Sequence, residues 1–146
     1  MSFSLEEYQA GQVFLIDKPL EWSSFQAVNK MKQAIKRKFD IRKIKIGHAG
    51  TLDPMATGLL IICCGKATKT IQGTQDTDKE YTGTITLGTV SASYDSEGPF
   101  TETCDYSHVS EELMLETTEQ FKGDILQTPP VYSALKKDGK PLYEYA

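Results

Sequence analysis

The stretch from Lys45 to Leu60, KIGHAGTLDPMATGLL, sets one carboxylate, Asp53, in a loop of glycines and small residues. A lone acid in that setting has three chemistries open to it. It can accept backbone N–H bonds in its own turn and do nothing else. It can take up a phosphoryl group, for which Asp53 and Thr57 make a superficial case, although the usual second acid two residues on is Met55. It can act as a nucleophile at a sugar carbon, attacking the anomeric position or stabilising its cationic transition state. This last chemistry needs a single acid and no metal.

The elements around the loop must aim that acid. Pro54 fixes φ just after Asp53 and pushes Asp53 itself toward extended geometry, while Gly47, Gly50 and Gly58 open conformations closed to other residues. Straight afterwards, Leu59-Leu60-Ile61-Ile62-Cys63-Cys64 is a continuous apolar run ending at Gly65, which predicts a strand buried on both faces. Upstream, Val13 to Asp17 predicts a short strand stopped by Lys18-Pro19. Ser23 or Ser24 can cap a helix from Phe25 to Lys38, with Val28, Met31, Ile35 and Phe39 at helical spacing and lysines over the remaining surface.

Beyond the loop, Ala67 to Asp78 opens as a short helix, and Lys79 to Leu87 alternates as a strand with Tyr81, Ile85 and Leu87 on one face. Gly88 to Tyr106 predicts loop or hairpin, turning at Ser96-Glu97-Gly98-Pro99. Ser110 caps a second helix through about Gln120, Val131 to Leu135 predicts a strand, and Asp138-Gly139 a turn. The closing LYEYA resembles the first turn of a helix, as a truncated chain would end. Strands and helices in mixed order without a repeat give an α+β domain on a mixed, largely antiparallel sheet flanked by helices. A doubly wound nucleotide fold is disfavoured: around Gly65-Lys66 a phosphate loop needs glycine where Leu60 stands and Ser/Thr where Ala67 stands.

With 146 residues, 39% hydrophobic and 25% charged, the composition is that of an ordinary globular domain, or part of a larger one. Neither a membrane-spanning run nor a signal peptide is legible, so a cytoplasmic protein is expected. The cysteines, Cys63, Cys64 and Cys104, form no metal-ligand pattern, and reduced thiols without metal are expected. Net charge is −4, but residues 1 to 69 carry +5 and residues 70 to 146 carry −9. Eight of the sixteen basic residues lie between Lys30 and Lys45, opposed only by Asp40. Such a run is either a solvated helix face or a phosphate-facing patch.

GHAGTLDPMATGLL, Asp17-Lys18-Pro19, Asp78-Lys79-Glu80-Tyr81 and Pro130-Val131-Tyr132-Ser133-Ala134-Leu135-Lys136 together closely resemble the TruB-type tRNA pseudouridine synthases, in family order and across essentially the whole chain. The resemblance implies the pseudouridine synthase catalytic fold and isomerisation of uridine 55 in the T-loop of tRNA, with tRNA as partner and no cofactor. It makes Asp53 the nucleophile, Tyr81 the aromatic that stacks on the flipped base, and His48 a contact to the opened T-loop. Lys18 and Pro19 take a supporting, scaffold role. The basic helix becomes an RNA contact.

The chain departs from the pattern at Ala49, where many relatives carry Thr, and at Glu21-Trp22, which interrupts a glycine-containing segment. The family also continues with a Gly-Thr-Tyr-Ile-Arg-like motif, whose Arg pairs with the acid, and a C-terminal RNA-binding domain; neither is in this sequence. Residues 1 to 146 are therefore expected to be the N-terminal part of the catalytic domain, with impaired activity. The rival reading is an RNA-binding module without catalysis.

Overall fold

Alternation along the first strand decides which way the sheet faces. The computed structural model describes residues 3–91, 93–96, 99–129 and 135–145, and the chain divides into two units, Met1–Glu80 and Tyr81–Ala146. In the first unit, strand β1 (Gln12–Lys18) turns Phe14, Ile16 and Lys18 to one face and Val13, Leu15 and Asp17 to the other. It pairs antiparallel with β3 (Gly58–Cys64), and β3 pairs antiparallel with β2 (Ile46–His48), giving the order β1-β3-β2. Helix α2 (Ser24–Phe39) lies on the inner face, where Ala27 and Val28 pack with Leu60 and Ile62. Phe14, Ile16, Trp22, Met31, Ile46 and Leu52 complete that core. The α+β class with an antiparallel sheet is what the sequence predicts.

The cap of α2 is Ser23: its hydroxyl accepts the Gln26 N–H, and the Gln26 side chain accepts the Ser23 N–H in return. An unforeseen helix, α1 (Leu5–Ala10), precedes β1, closed by the same device between Ser4 and Glu7. Its Tyr8 joins Phe3, Phe14 and Phe39 in a ring cluster with centroids 5.6 to 5.9 Å apart, tying α1 to β1 and to the end of α2. After β3 the chain enters a 3-10 turn (Gly65–Thr70) and then α3 (Ile71–Gln75). Gly65 is obligatory there: its φ is +60°, and an added Cβ would overlap the carbonyls of Tyr8 and Gln9.

Strand β3 is not buried on both faces throughout. Leu60, Ile62, Cys63 and Cys64 are buried, but Leu59 is 61% exposed, and across the ladder Leu15 is 69% exposed. Toward Gly47 and Cys63 the outer face is covered: a Cβ on Gly47 would meet Ile71 at 3.1 Å, and Cys63 is buried.

The second unit holds the pair β4 (Thr89–Ser91) and β5 (Phe100–Thr103), helix α4 (Glu111–Glu119), and the pair β6 (Lys136–Lys137) and β7 (Lys140–Pro141). The hairpin expected between Gly88 and Tyr106 is β4–β5, and Ser110 caps α4 by accepting the Leu113 N–H. Asp138 and Gly139, at φ of 52° and 83°, form the two-residue turn between β6 and β7. A 3-10 turn (Leu142–Tyr145) follows in place of an α-helical start. Lys79 to Leu87 is not a strand. Among the described residues no ladder partner satisfies its backbone, and Ile85 is 88% exposed, so its alternation finds no face to bury there. The expected strand at 131–135 and the turn at 96–99 lie partly outside the described residues. Among the described residues no helix is long and apolar enough to cross a membrane.

Candidate active site

Asp53 occupies the loop between β2 and β3, and the two residues that flank it are held from outside the loop while its own side chain is not, among the described residues. On one side, the Leu52 N–H donates to Ser24 Oγ at 2.8 Å, and the same hydroxyl donates to the Leu52 carbonyl at 3.0 Å. Ser24 is 2% exposed on the first turn of α2, so this double bond is shielded from water. The Leu52 side chain also packs against the core. On the other side, the Pro54 carbonyl accepts the Glu21 N–H at 2.8 Å and the Lys18 ammonium at 3.4 Å.

Lys18 is the unusual element of this clamp. At 0% exposure it sits at an inward position of β1, among apolar residues. Its Nζ donates to the carbonyls of Pro19 (3.0 Å), Trp22 (2.5 Å) and Pro54, matching three N–H groups to three acceptors. The buried ammonium thereby closes the turn after β1 and pins it to the residue after Asp53. The sequence assigned Lys18 a scaffold role; the geometry makes that role specific to the position of the acid. Glu21 takes part at φ 65°, a left-handed conformation uncommon outside glycine.

The Asp53 backbone closes a turn, its carbonyl accepting the Ala56 N–H at 3.0 Å with Pro54 and Met55 at the corner. Its carboxylate is exposed and has no hydrogen-bond or ion-pair partner among the described residues. The turn-bonded reading of Asp53 expected those oxygens to accept backbone N–H groups. They do not, and both remain available to an incoming group.

His48 ends β2, five residues before Asp53, and is half-buried. Its Nδ1 donates to the Gly50 carbonyl, which places the proton on that nitrogen and leaves Nε2 as the free position of the ring. Gly50 and Gly58 carry the loop through φ of +101° and +113°. Tyr81 opens the second unit in irregular chain, with its ring 69% exposed, and is not on a strand. The structure thus brings Lys18 and Ser24 onto the residues that flank Asp53, sets His48 opposite Ile62 at the end of β2 in the same unit, and describes Tyr81 with the second unit.

Burial pushes the thiols of Cys63 and Cys64 up from their ordinary value. Both are free and enclosed, and Cys104 is free and exposed. Among the described residues no group of His, Cys, Asp and Glu has the arrangement to hold a metal ion.

In the sequence Ser24 stood out only as a candidate cap, a place Ser23 takes, and Leu52 did not stand out. The signal for Lys18 was present there: a charged residue in phase with Phe14 and Ile16 on the inward face of a strand must find buried acceptors.

A family model for the N-terminal domain of TruB family pseudouridylate synthases matches residues 36–146. The tRNA pseudouridine synthase B of Flavobacterium johnsoniae is 57% identical over 142 residues, covering 97% of this chain and 62% of the relative. Proteins of the same name from Phocaeicola vulgatus and Chlorobium chlorochromatii are 49% identical over 139 residues and 45% over 136, covering 95% and 93% of this chain. The chain spans 59% and 52% of those two relatives, so it matches little more than half of their length.

Proposed function

The chain belongs to the TruB family of pseudouridylate synthases, and on that premise we propose that it acts on tRNA, isomerising uridine 55 of the T-loop to pseudouridine. Residues 1–146 then form the N-terminal part of the catalytic domain, the part that carries the acid. The observation that carries this reading is the Asp53 carboxylate, without a partner among the described residues and set between two residues whose main chain is clamped. Restraint on the neighbours sets where the oxygens go without occupying them.

Isomerisation breaks the bond from ribose C1′ to N1 of the base and makes one from C1′ to C5. N1 gains a proton and C5 loses one, so no electron acceptor and no second substrate is consumed. Asp53 serves as the nucleophile that carries the substrate through the cleaved state. The uridine must leave its stack to reach an acid in a loop, at a cost of a few kcal/mol for an ordinary stacked base. The exposed ring of Tyr81 is the proposed stacking platform that offsets this cost. His48, with Nε2 free, is the proposed contact to the opened loop of the RNA.

The test uses tRNA tritiated at uridine C5, where isomerisation releases the label to water. Asp53→Asn should release none, while its affinity for tRNA stays within about 1 kcal/mol of the parent, roughly fivefold. A large loss of affinity instead makes Asp53 structural. A parent protein that binds tRNA and releases no tritium is an RNA-binding module without catalysis.

A further inference from the structure

Glu21 is held in a conformation that a glutamate does not choose. Its φ is +65°, in the left-handed region where a Cβ crowds the backbone and glycine is the default. The turn imposes this: the Glu21 N–H donates to the Pro54 carbonyl at 2.8 Å, while Lys18 binds the carbonyls of Pro19 and Trp22 to either side. The sequence departs from the family pattern at the same place, where Glu21-Trp22 interrupts a glycine-containing segment. No contact of the side chain offsets the strain. It is exposed, and its carboxylate has no hydrogen-bond or ion-pair partner among the described residues.

The surroundings decide what kind of group can meet that carboxylate. Lys18 pairs with Gly58 at the end of β1 and β3 that leads into the Asp53 loop, and Asp17, Glu21 and Asp53 are all exposed there. Between Asp17 and Asn29, and between Ile46 and Gly65, the one lysine or arginine is Lys18, which is buried and engaged with carbonyls. The other cations of the unit lie away from this end. Lys30 and Arg37 line a groove that also takes in Trp22, and the nearer of them is about 10 Å along α2 from Ser23. Lys32 and Lys36 turn to another side and share a cleft with Lys66 and Lys69, which follow the opposite end of the ladder, where Gln12 pairs with Cys64. A phosphate beside Glu21 would meet negative charge without compensation, and a neutral hydrogen-bond donor would not.

We propose that Glu21 is a specificity-determining contact for the reaction, its carboxylate accepting a hydrogen bond from a neutral donor of the RNA close to the uridine that Asp53 attacks. The inference rests on the reading of the protein as one that isomerises a tRNA uridine. An ionised carboxylate accepts and cannot donate, so it selects a base N–H or a ribose 2′-hydroxyl and turns phosphates away. The bond that imposes the strain also ties the Glu21 main chain to the residue after the acid, which gives the contact a fixed base. Glycine would relieve the strain but has no side chain to offer, and strain of this kind is kept where the strained residue has work to do.

The experiment reads stability and binding in the same variants. Affinity for tRNA is measured in protein carrying Asp53→Asn, so turnover plays no part; tritium release with Asp53 intact tests the isomerase reading on its own. Glu21→Gly should raise the urea midpoint, because glycine is at ease at this φ, and yet weaken tRNA binding about tenfold. Glu21→Gln, which keeps the size and the backbone but not the charge, should weaken binding by a smaller factor. With Asp53 intact, Glu21→Gln should raise KM and leave kcat within about twofold, as loss of a binding contact does. The source of the donor is found with altered tRNAs: 2′-deoxy nucleotides beside the target, or neighbouring guanine and cytosine replaced by inosine and uridine. One of these substitutions should close the gap between parent and Glu21→Gln. Equal affinity in all three proteins overturns the proposal, as does a gap that survives every altered tRNA. Tighter binding by Glu21→Gln overturns it too, making the carboxylate a phosphate repeller only.

Discussion

Replacing Lys18 by Met separates the positioning of Asp53 from the stability of the fold. The substitution keeps most of the stem and removes the ammonium from three carbonyls. Pro54 keeps the Glu21 N–H, and Pro19 is exposed enough for its carbonyl to find water. Only the Trp22 carbonyl is stranded, at a cost of about 1–3 kcal/mol. Against this, the variant no longer desolvates a buried cation, whose effective penalty is several kcal/mol. The terms oppose, and the net change should be small, about 1 kcal/mol in either direction. Activity should not follow stability. Freed from the turn after β1 on one of its two bonds, Pro54 can drift, and a displacement near 1 Å at a reacting group costs about 10²-fold in rate. The assay pairs urea unfolding with tritium release at several tRNA concentrations. The expected result is a near-parental midpoint, a kcat lower by about 10²-fold and a KM little changed. Unchanged kcat would refute the clamp, because the lysine would then be a core strut with no bearing on the acid.

Ser24→Ala removes the hydroxyl that both accepts from and donates to Leu52, leaving two shielded backbone groups without partners. It should cost about 1–3 kcal/mol in urea unfolding and lower kcat as well. The enclosed thiols should be slow to alkylate at mildly alkaline pH, with Cys104 modified first, as mass mapping of iodoacetamide adducts would show. Because Cys63 and Cys64 are raised in the fold, their contribution is fully present below the ordinary value of 9.0 and is lost above it, as unfolded thiols ionise while folded ones stay protonated. The thermal midpoint should therefore fall faster with pH above 9.0 in the parent than in Cys63→Ser/Cys64→Ser.

Legibility followed the reach of the interaction. The helix Ser24–Phe39 and the strands Gln12–Lys18 and Gly58–Cys64 stood within two residues of their expected bounds, because periodicity and the Ser23/Gln26 box act over one or two turns. Helix α1 was not legible although Ser4 and Glu7 carry the same kind of box, because its six residues, none of them buried, are too few to show an apolar stripe. Lys79 to Leu87 was misread because alternation shows which faces a strand would have, and not whether another strand lies beside it. The clamp was out of reach, since Ser24 and Leu52 are 28 residues apart and Lys18 and Pro54 are 36. Likewise, charge counting found the run from Lys30 to Lys45, but only the fold turns Lys32 and Lys36 from Arg37 and adds Lys66 and Lys69.

The position of the restraints bears on what kind of acid Asp53 is. A carboxylate that accepts several N–H bonds is held in place, but the same bonds stabilise its charge and occupy its lone pairs, so it is a poorer nucleophile. Here the order is transferred to the main chain: Ser24 grips residue 52, Glu21 and Lys18 grip residue 54, and the oxygens between them stay unoccupied. That arrangement restricts the search for an attack geometry without quenching the attacking group. It does nothing to bring an RNA base out of its stack. Under the proposed reading that cost must be met from binding energy elsewhere, and interactions distant from the reacting atoms are a physical means of supplying it.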